Sequence, residues 1–407
     1  MDIYVVSEYY YPDNFKINDM VREFVQRGHN VTTLAGLPDY ETGTVRKEYR
    51  FFRRRKETVD GAKVVRVSTV SRRTGAFFRI LTYSSFAFNG YFYTKFCKKP
   101  SCDVIFVNQI TPILQAIPAL SLGKRVKKPV VLYCMDIWPE VLKAWDIKES
   151  SLYFRCAMAL SRKLYRKCDL VLISSKPFRE YLTKVIGVDD ERIVYLPQYA
   201  EDLYKSIAGK YIENGVVDFL FAGNIGSVQD IECIIKAVKH IEDNNLNQGK
   251  EYKVHIVGDG MNLENCRNLT KELDVVNRVV FHGRHPLSEM KRFYEMADCF
   301  LLTMRGGDFI SMTLPGKAQS YLSVGKPIAG AIDGSAMEVI NEADCGLCTR
   351  GSDYEGLASI MAQIMLDFET FKEKGHNGRK YYLDHFTKDR FFESLFDIFV
   401  DLKESLR

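Results

Sequence analysis

Short apolar runs alternate with longer stretches of helical period from one end of the chain to the other, the pattern of parallel α/β architecture. In the first half, runs at 3–6, 31–35, 63–67, 104–107, 130–134, 170–173 and 193–196 predict strands. A helix over about 17–27 stops at Gly28, where a left-handed cap fits. The segment LPQYAEDLYKSIAGKYIENG then loses its period and reads as a linker. The alternation restarts with strands at 218–222, 252–257, 278–282, 299–303, 327–331 and near 346–348. Helices at about 231–244, 261–273, 287–296, 318–323 and 336–342 fall between them. At 407 residues the chain exceeds one ordinary core. The pattern therefore predicts two Rossmann-like, doubly wound α/β domains, residues 1–198 and 199–383, facing a ligand cleft. The stretch HFTKDRFFESLFDIFVDLKESL reads as an amphipathic terminal helix, so that residues 384–407 pack back on the first domain.

Apolar residues make up 46% and charged residues 27%, an ordinary globular balance, with aromatics high at 13%. The net charge of +5 conceals an asymmetry: 34 Lys and Arg stand against 22 Asp and Glu through Lys205, then 23 against 30 beyond it. A basic first half suits an anionic partner, with a solvated surface as the plain alternative. Ten cysteines are scattered, and only Cys345 and Cys348 make a C-x-x-C. Without a second pair these read as small buried residues in a reducing compartment rather than a zinc site. MDIYVVSEYY enters a strand directly and lacks the parts of a secretory signal. No apolar run reaches the length of a bilayer crossing; residues 105–122 include Asn108, Gln109, Pro112 and Pro118. A cytoplasmic protein is expected.

Candidate chemistry concentrates in the second half. FAGNIGSVQDIECIIKAV reads as a strand, a tight loop from Gly223 to Ser227, and a helix. Gly223 and Gly226 either let the backbone approach a phosphate or make an ordinary glycine turn. HIVGDGMNLENC repeats the arrangement with Gly258 and Gly260. VVFHGRHPLSEMKRFYEMADCFLLT puts His282, Gly283 and Arg284 at a strand's carboxyl end, the edge where open α/β sheets bind ligands. TLPGKAQSYLSVGKPIAGA sets Lys317 at the start of a helix-patterned segment, where its ammonium and the free N–H groups can face one anion. A departing diphosphate is such an anion, since its charge grows as its bond to a sugar breaks. The alternative, a solvated lysine, opposes the helix dipole at that end.

Taken in order, G-N-x-G, VGDG, F-x-G-x-x-P-x-x-E-M-x-x-x-Y-x-x-A-D, P-G-K and G-K-P resemble the nucleotide-sugar half of family 4 glycosyltransferases. EYYYPDN after the first strand, RGHNV from Arg27, and MDIWPEVL from Met135 to Leu142 are similar to bacterial surface-polysaccharide members. The resemblance covers nearly the whole chain. It implies the GT-B fold and a retaining glycosyltransferase. The donor would be a nucleotide diphosphate sugar, in this branch a UDP-sugar such as UDP-N-acetyl-L-fucosamine. The acceptor would be a polyprenyl diphosphate-linked saccharide in O-antigen or capsule assembly. The resemblance also implies that Gly223, Asn224, Gly226 and Ser227 lie under the diphosphate, and that the backbone at Gly283 and Arg284 holds the base. Lys317 would neutralise the leaving group, and Gln319 or Ser320 would reach the ribose.

This chain departs from the family's pattern twice. Members carry basic residues where it has Asn224 and Gln229, so positive charge falls more heavily on Lys317. They also carry two glutamates, and counting back from Gly325 those places hold Met312 and Ser320. Asp308, in RGGDFIS, would contact donor-sugar hydroxyls instead, and Glu338, in DGSAME, either does so or caps a helix.

On the acceptor side, Asp136 lies just past a strand's carboxyl end, before Trp138-Pro139-Glu140. It is the candidate catalytic acid–base group there, with a helix cap as the alternative. His282 and His285 read as structural or loop residues. No Asp-x-Asp pair occurs, Glu342-Ala343-Asp344 being nearest. A metal-independent reaction without a cofactor is therefore expected, with Lys317 and backbone dipoles in place of Mg²⁺. Arg53, Arg54, Arg55 and Lys56, together with Phe77 and Phe78 in an aromatic-rich segment, suit the anionic inner face of the cell membrane, unless the aromatics pack in the core. No nucleic-acid-binding module is recognisable. A UDP-sugar epimerase and a non-catalytic sugar-binding protein are the alternative functions. The first would act with no acceptor present; the second is disfavoured by a lysine directed at phosphate.

Overall fold

The two series of strands build two separate sheets in the computed structural model, which describes residues 1–72, 76–145 and 147–405. The chain divides into two compact units. Met1–Ser174, Phe178–Leu196 and Leu395–Arg407 make the first; Ser175–Pro177 and Pro197–Ser394 make the second.

In the first unit the strands are β1 (Asp2–Ser7), β2 (Asn30–Ala35), β3 (Lys56–Val59), β4 (Ala62–Arg66), β5 (Val104–Gln109), β6 (Val130–Cys134), β7 (Leu170–Ile173) and β8 (Ile193–Tyr195). They lie in the order β3-β4-β2-β1-β5-β6-β7-β8, parallel throughout except for the β3–β4 hairpin. Strands β5 and β6 are buried at every position. Burial on both faces is why such strands read as unbroken apolar runs rather than alternating ones. The helix Lys16–Gln26 buries Ile17, Met20, Val21 and Phe24, one stripe at three- and four-residue spacing, and Gly28 beyond it takes φ of 85°.

The second unit holds β9 (Val216–Ala222), β10 (Glu251–Val257), β11 (Val279–Gly283), β12 (Cys299–Thr303), β13 (Ile328–Ala331) and β14 (Gly346–Thr349). All are parallel, in the order β11-β10-β9-β12-β13-β14. Along β9, Phe219 and Phe221 enter one apolar cluster while Leu220 and Ala222 enter the other. Alternate residues of one strand thus tie together the cores on the two faces of the sheet. In both sheets the strand order reverses once, between β1 and β5 and between β9 and β12, which creates a crevice at the carboxyl ends there.

Several elements go beyond the expected set. Strand β3 (KETV) has no apolar run because it is an edge strand. Its hairpin turns through Asp60 and Gly61, at φ of 47° and 83°. The aromatic-rich segment forms the helix Ala76–Phe96. Its aromatics occupy opposite sides and so blur the helical period: Tyr83 and Phe86 are buried, whereas Phe88, Phe92 and Phe96 are exposed. Helices Tyr354–Leu366 and Phe368–His385 also form, and the linker segment contains a 3₁₀ turn, Asp202–Ile207, with Tyr204 and Ile207 buried. Among the described residues no helix is long and apolar enough to cross a membrane.

The terminal helix Lys388–Ser405 contributes to each core in turn. In the second unit Phe391 and Phe392 lie 4.9 and 5.5 Å from the Tyr199 ring. In the first, Phe399 meets Phe24 at 6.5 Å and Phe106 at 6.0 Å, and Lys403 pairs with Asp103 at 2.9 Å. Phe399 is 1% exposed. Phe399→Ala is expected to cost the first unit about 3–5 kcal/mol. Urea unfolding followed by tryptophan fluorescence and circular dichroism checks this; a loss below ~1 kcal/mol would show that the helix end is dispensable to that core.

Candidate functional site

At the crevice of the second sheet, three strands end in glycine turns sewn together by their backbones. Gly223 N–H donates to Val257 O at 2.8 Å, Ile225 N–H to Asp259 O at 2.9 Å, and Gly258 N–H to Gly283 O at 2.8 Å. The approach leaves no room for side chains. A Cβ on Gly258 would lie 1.8 Å from Gly223 O, and one on Gly260 would lie 2.3 Å from Ile225 O. Gly223 and Gly258 also sit at φ of 144° and 147°, which other residues rarely adopt.

Lys317 closes this arrangement. The helix Gly316–Val324 starts after Pro315 and places Lys317 in its first turn. Its Nζ stands 3.7 Å from the centroid of the Phe221 ring, a cation–π contact. A Cβ on Gly223 would meet its Cε at 2.4 Å and its Nζ at 3.0 Å, so the lysine occupies the space that the glycine leaves. The residue keeps some solvent exposure, but no carboxylate among the described residues pairs with it. Burial pulls the amine down to about 7.

The other second-unit candidates fall around this centre. Asn224 is exposed; its Nδ2 donates to Gln229 Oε1 at 3.0 Å, and Gly226 N–H donates to the same oxygen at 3.1 Å. Gln229 therefore shapes the loop from within, a role hidden in the sequence because it depends on a side chain folding back three and five residues. Ser227 opens the short 3₁₀ turn Ser227–Gln229 and is exposed. Gly283 ends β11 at φ of 75°, with Arg284 exposed beside it. Ser320 is partly exposed and bonds Gly316 O at 3.3 Å. Gln319 is 1% exposed, and in its satisfied orientation its amide donates to Pro315 O at 2.9 Å and Gly316 O at 3.2 Å. It is thus spent on its own helix start. Glu338 is exposed in the first turn of the helix Ser335–Glu342. Asp308 begins the short helix Asp308–Ser311, and its side chain lies outside the described residues.

His282 belongs to an internal chain of hydrogen bonds. It meets His255 at 2.9 Å, and His255 meets Asp218 Oδ1 at 2.9 Å. His285 meets Glu289 at 2.9 Å.

In the first unit, Asp136 follows β6. Its carboxylate accepts from Thr111 Oγ1 at 3.1 Å, and its carbonyl accepts from Gln109 Nε2 at 2.9 Å. Burial raises its carboxyl above the usual range, and the Thr111 bond partly offsets the rise. This side chain pairs with a neighbouring loop rather than with a helix N–H. Arg53, Arg54 and Lys56 are exposed, next to Phe51 and Phe52 at 89% and 80% exposure. Arg55 is half-buried, 5.3 Å from the Phe52 ring. Phe78 is half-buried in the helix Ala76–Phe96; the side chain of Phe77 lies outside the described residues.

Comparison with known proteins places this geometry. Residues 16–198 match the family model described as a glycosyl transferase 4-like domain, and residues 207–381 match that of glycosyl transferases group 1. The probable glycosyltransferase WbjE of Pseudomonas aeruginosa is 24% identical over 247 residues, an alignment that covers 58% of this chain and 59% of that relative's length. The putative colanic acid biosynthesis glycosyl transferase WcaI of Escherichia coli K12 is 23% identical over 325 residues, covering 75% and 76%. The crystal structure of Anabaena HepE in complex with UDP and glucose superposes with a TM-score of 0.66 at 14% identity, over 98% of each chain. One family match falls on each sheet's span, and the chain belongs to the family 4 (group 1) glycosyltransferases, with their GT-B fold.

Proposed function

We propose that this glycosyltransferase moves a sugar from a UDP-sugar onto a lipid-linked saccharide in surface-polysaccharide synthesis. The Lys317 amine carries the reading. It is an amine without an anionic partner among the described residues, held against a glycine turn at a helix start and at the strand-order reversal. Burying an ammonium without a counter-charge is costly, and a diphosphate would supply that charge. The uridine assignment is supported by HepE, which is similar in fold and was solved with UDP and glucose. The polysaccharide assignment is supported by WcaI, named for colanic acid biosynthesis. N-acetyl-L-fucosamine is the donor sugar that the branch resemblance suggests.

Retention follows from the family resemblance. The bond from the anomeric carbon to the diphosphate oxygen breaks while the acceptor oxygen bonds to the same face. The acceptor's hydroxyl proton passes to the departing phosphate oxygen, with Asp136 placed on the acceptor side. Lys317 and the N–H groups of its helix stabilise the charge that builds on the diphosphate, with no metal ion required. Membrane association rests on the exposed stripe Phe88, Phe92 and Phe96, beside exposed Lys95, Lys98 and Lys99, and on the loop carrying Phe51 to Lys56.

Three measurements test these statements. Lys317→Ala should lower transfer about 10²–10³-fold, read by mass spectrometry of products from a panel of UDP-sugars and lipid-linked acceptors. Near-normal turnover removes the lysine from the mechanism. Because burial lowers the free amine to about 7 and a bound diphosphate raises it, UDP binding takes up a proton. Affinity should be highest below pH 7 and fall as pH rises above it. Calorimetry in two buffers of different ionisation heat detects the uptake, which Lys317→Ala should abolish. Replacing Arg53, Arg54, Arg55 and Lys56 by Gln should weaken partitioning to vesicles containing phosphatidylglycerol, by about 1 kcal/mol per charge at the surface. Unchanged sedimentation with vesicles would point to a soluble acceptor.

A further inference from the structure

At its own crevice the first sheet holds an ionisable group that has no hydrogen-bond partner for one of its oxygens among the described residues. Glu8 directly follows β1, is 3% exposed, and its Oε1 has no hydrogen-bond partner. Its backbone is fully engaged. The N–H donates to Gln115 Oε1 at 3.1 Å, and the carbonyl accepts from Gly36 N–H at 2.9 Å. Those bonds come from segments after β5 and after β2, so Glu8 is pinned from both sides of the strand where the order reverses. Only the carboxyl is left over.

Charged and aromatic side chains gather around it. Burial raises the carboxyl well above its usual range; Asp39 adds to the rise and Arg72 opposes it. Asp39, 1% exposed, accepts Arg72 N–H at 2.7 Å. The Arg72 guanidinium lies 4.2 Å from the Tyr40 ring centroid and donates to Tyr9 Oη at 3.3 Å. Tyr9 stacks on Phe15 at 5.1 Å, and Tyr40 meets both rings edge-on at 5.0 and 4.7 Å. Tyr40 is 43% exposed and forms the solvent-facing edge of this cluster, whereas Tyr9 is 5% exposed. A second orphaned acceptor, Asn108 Oδ1, lies in the adjoining strand β5 on a residue 2% exposed.

A buried acceptor without a donor is costly, and folds retain few of them. A hydroxyl from a ligand would satisfy it. Flat aromatic faces match the C–H faces of a pyranose, while carboxyl and guanidinium groups match its hydroxyls. We propose that Glu8 is an acceptor-binding residue: its carboxyl takes a hydroxyl of the saccharide whose ring rests on Tyr40, at the open edge of the aromatic cluster. This rests on the transferase reading above and names where the first unit holds the acceptor.

A purely structural Glu8 and a ligand-binding Glu8 predict opposite stabilities. Removing a carboxyl that holds the fold lowers the unfolding temperature; removing one that waits for a ligand does not. The full chain is titrated with methyl α- and β-hexopyranosides of gluco, galacto and fuco configuration, observed by saturation-transfer NMR, alongside calorimetric titration with UDP. Saturation should reach the ring protons of at least one glycoside. Glu8→Met should weaken that binding about tenfold or more while keeping UDP binding and an equal or higher Tm. Tyr40→Ala, at the surface, should weaken it too, whereas Lys317→Ala should not. Glycoside binding that is absent from the unmodified chain, or unchanged in both Glu8→Met and Tyr40→Ala, overturns the proposal. A lowered Tm for Glu8→Met with Tyr40→Ala unaffected in binding overturns it as well. Glycoside binding through Glu8 in a chain that never binds UDP defeats the donor reading and leaves this one standing.

Discussion

The carbonyl of Gly223 and the α-carbon of Gly258 share a space too small for one methyl group, and the candidate donor site is arranged around that approach. Because the two turns touch, their backbone amides can be shared between β9, β10 and β11 instead of each being capped by its own side chain. Because Gly223 has no side chain, the aliphatic stem of Lys317 can lie across it and bring the amine onto Phe221. A side chain at Gly223 would push the lysine away, and one at Gly258 would push the turns apart. The position of the cation is therefore set by backbone packing, which is stiff, and not by a salt bridge, which a competing ion could exchange.

A second buried lysine shows what Lys317 lacks. Lys326, nine residues on and 1% exposed, donates to the carbonyls of Tyr294 and Glu295 at 3.2 and 2.8 Å and also to that of Ala297. Burial pulls it down to about 8, and nearby Asp298 opposes the fall. Every direction of its ammonium is used, so it locks a strand start to a helix end and has nothing to offer a ligand. Both lysines follow a glycine in the sequence, and burial lowers the pKa of both, although Lys317 keeps some exposure. What separates them is satisfaction: one is a structural clamp, while the other carries an unbalanced charge. Glu8 in the first unit is likewise unsatisfied, as a buried acid whose Oε1 has no partner among the described residues, and both groups sit where the order of their own sheet reverses. Proteins that are otherwise consistent from local pattern to core concentrate such costs at functional positions.

Most strands were legible because central parallel strands are buried on both faces and must be apolar throughout, a signal that needs no knowledge of neighbours. Strand β3 escaped because an edge strand is polar, although the Asp60-Gly61 pair was there to mark its hairpin. The helix Ala76–Phe96 escaped because its exposed aromatic stripe erased the polar face that an amphipathic pattern needs. At the site, glycines and the Gly-Lys pair were visible because they act through the local backbone. The roles of Gln229 and Glu8 were not, although both stand in motifs read from the sequence. Gln229 works by a side chain that turns back on its own loop, and Glu8 is buried only because segments around Gly36, Arg72 and Gln115 converge on it. Sequence periodicity reports burial along an element; Glu8 lies just past a strand, and Gln229 ends a single 3₁₀ turn too short to show a period.

The departure from the family's glutamate pair can be understood in the same electrostatic terms. The helix Gly316–Val324 contains no acidic residue at all. At the places where members carry glutamates, Met312 offers its carbonyl to Ser175 Oγ at 2.5 Å, and Ser320 bonds back to Gly316. An acid one turn from Lys317 would attract its ammonium and raise its pKa, and a diphosphate would then have to displace that acid before binding. With serine there, the amine stays unpaired and only burial acts on it. The basic residues that members carry in the first glycine loop are replaced here by Asn224 and Gln229, which bond each other and bring no charge. Losing cations from the loop and losing acids from the helix nearly cancel. On the proposed reading, the positive charge offered to the diphosphate then rests chiefly on Lys317.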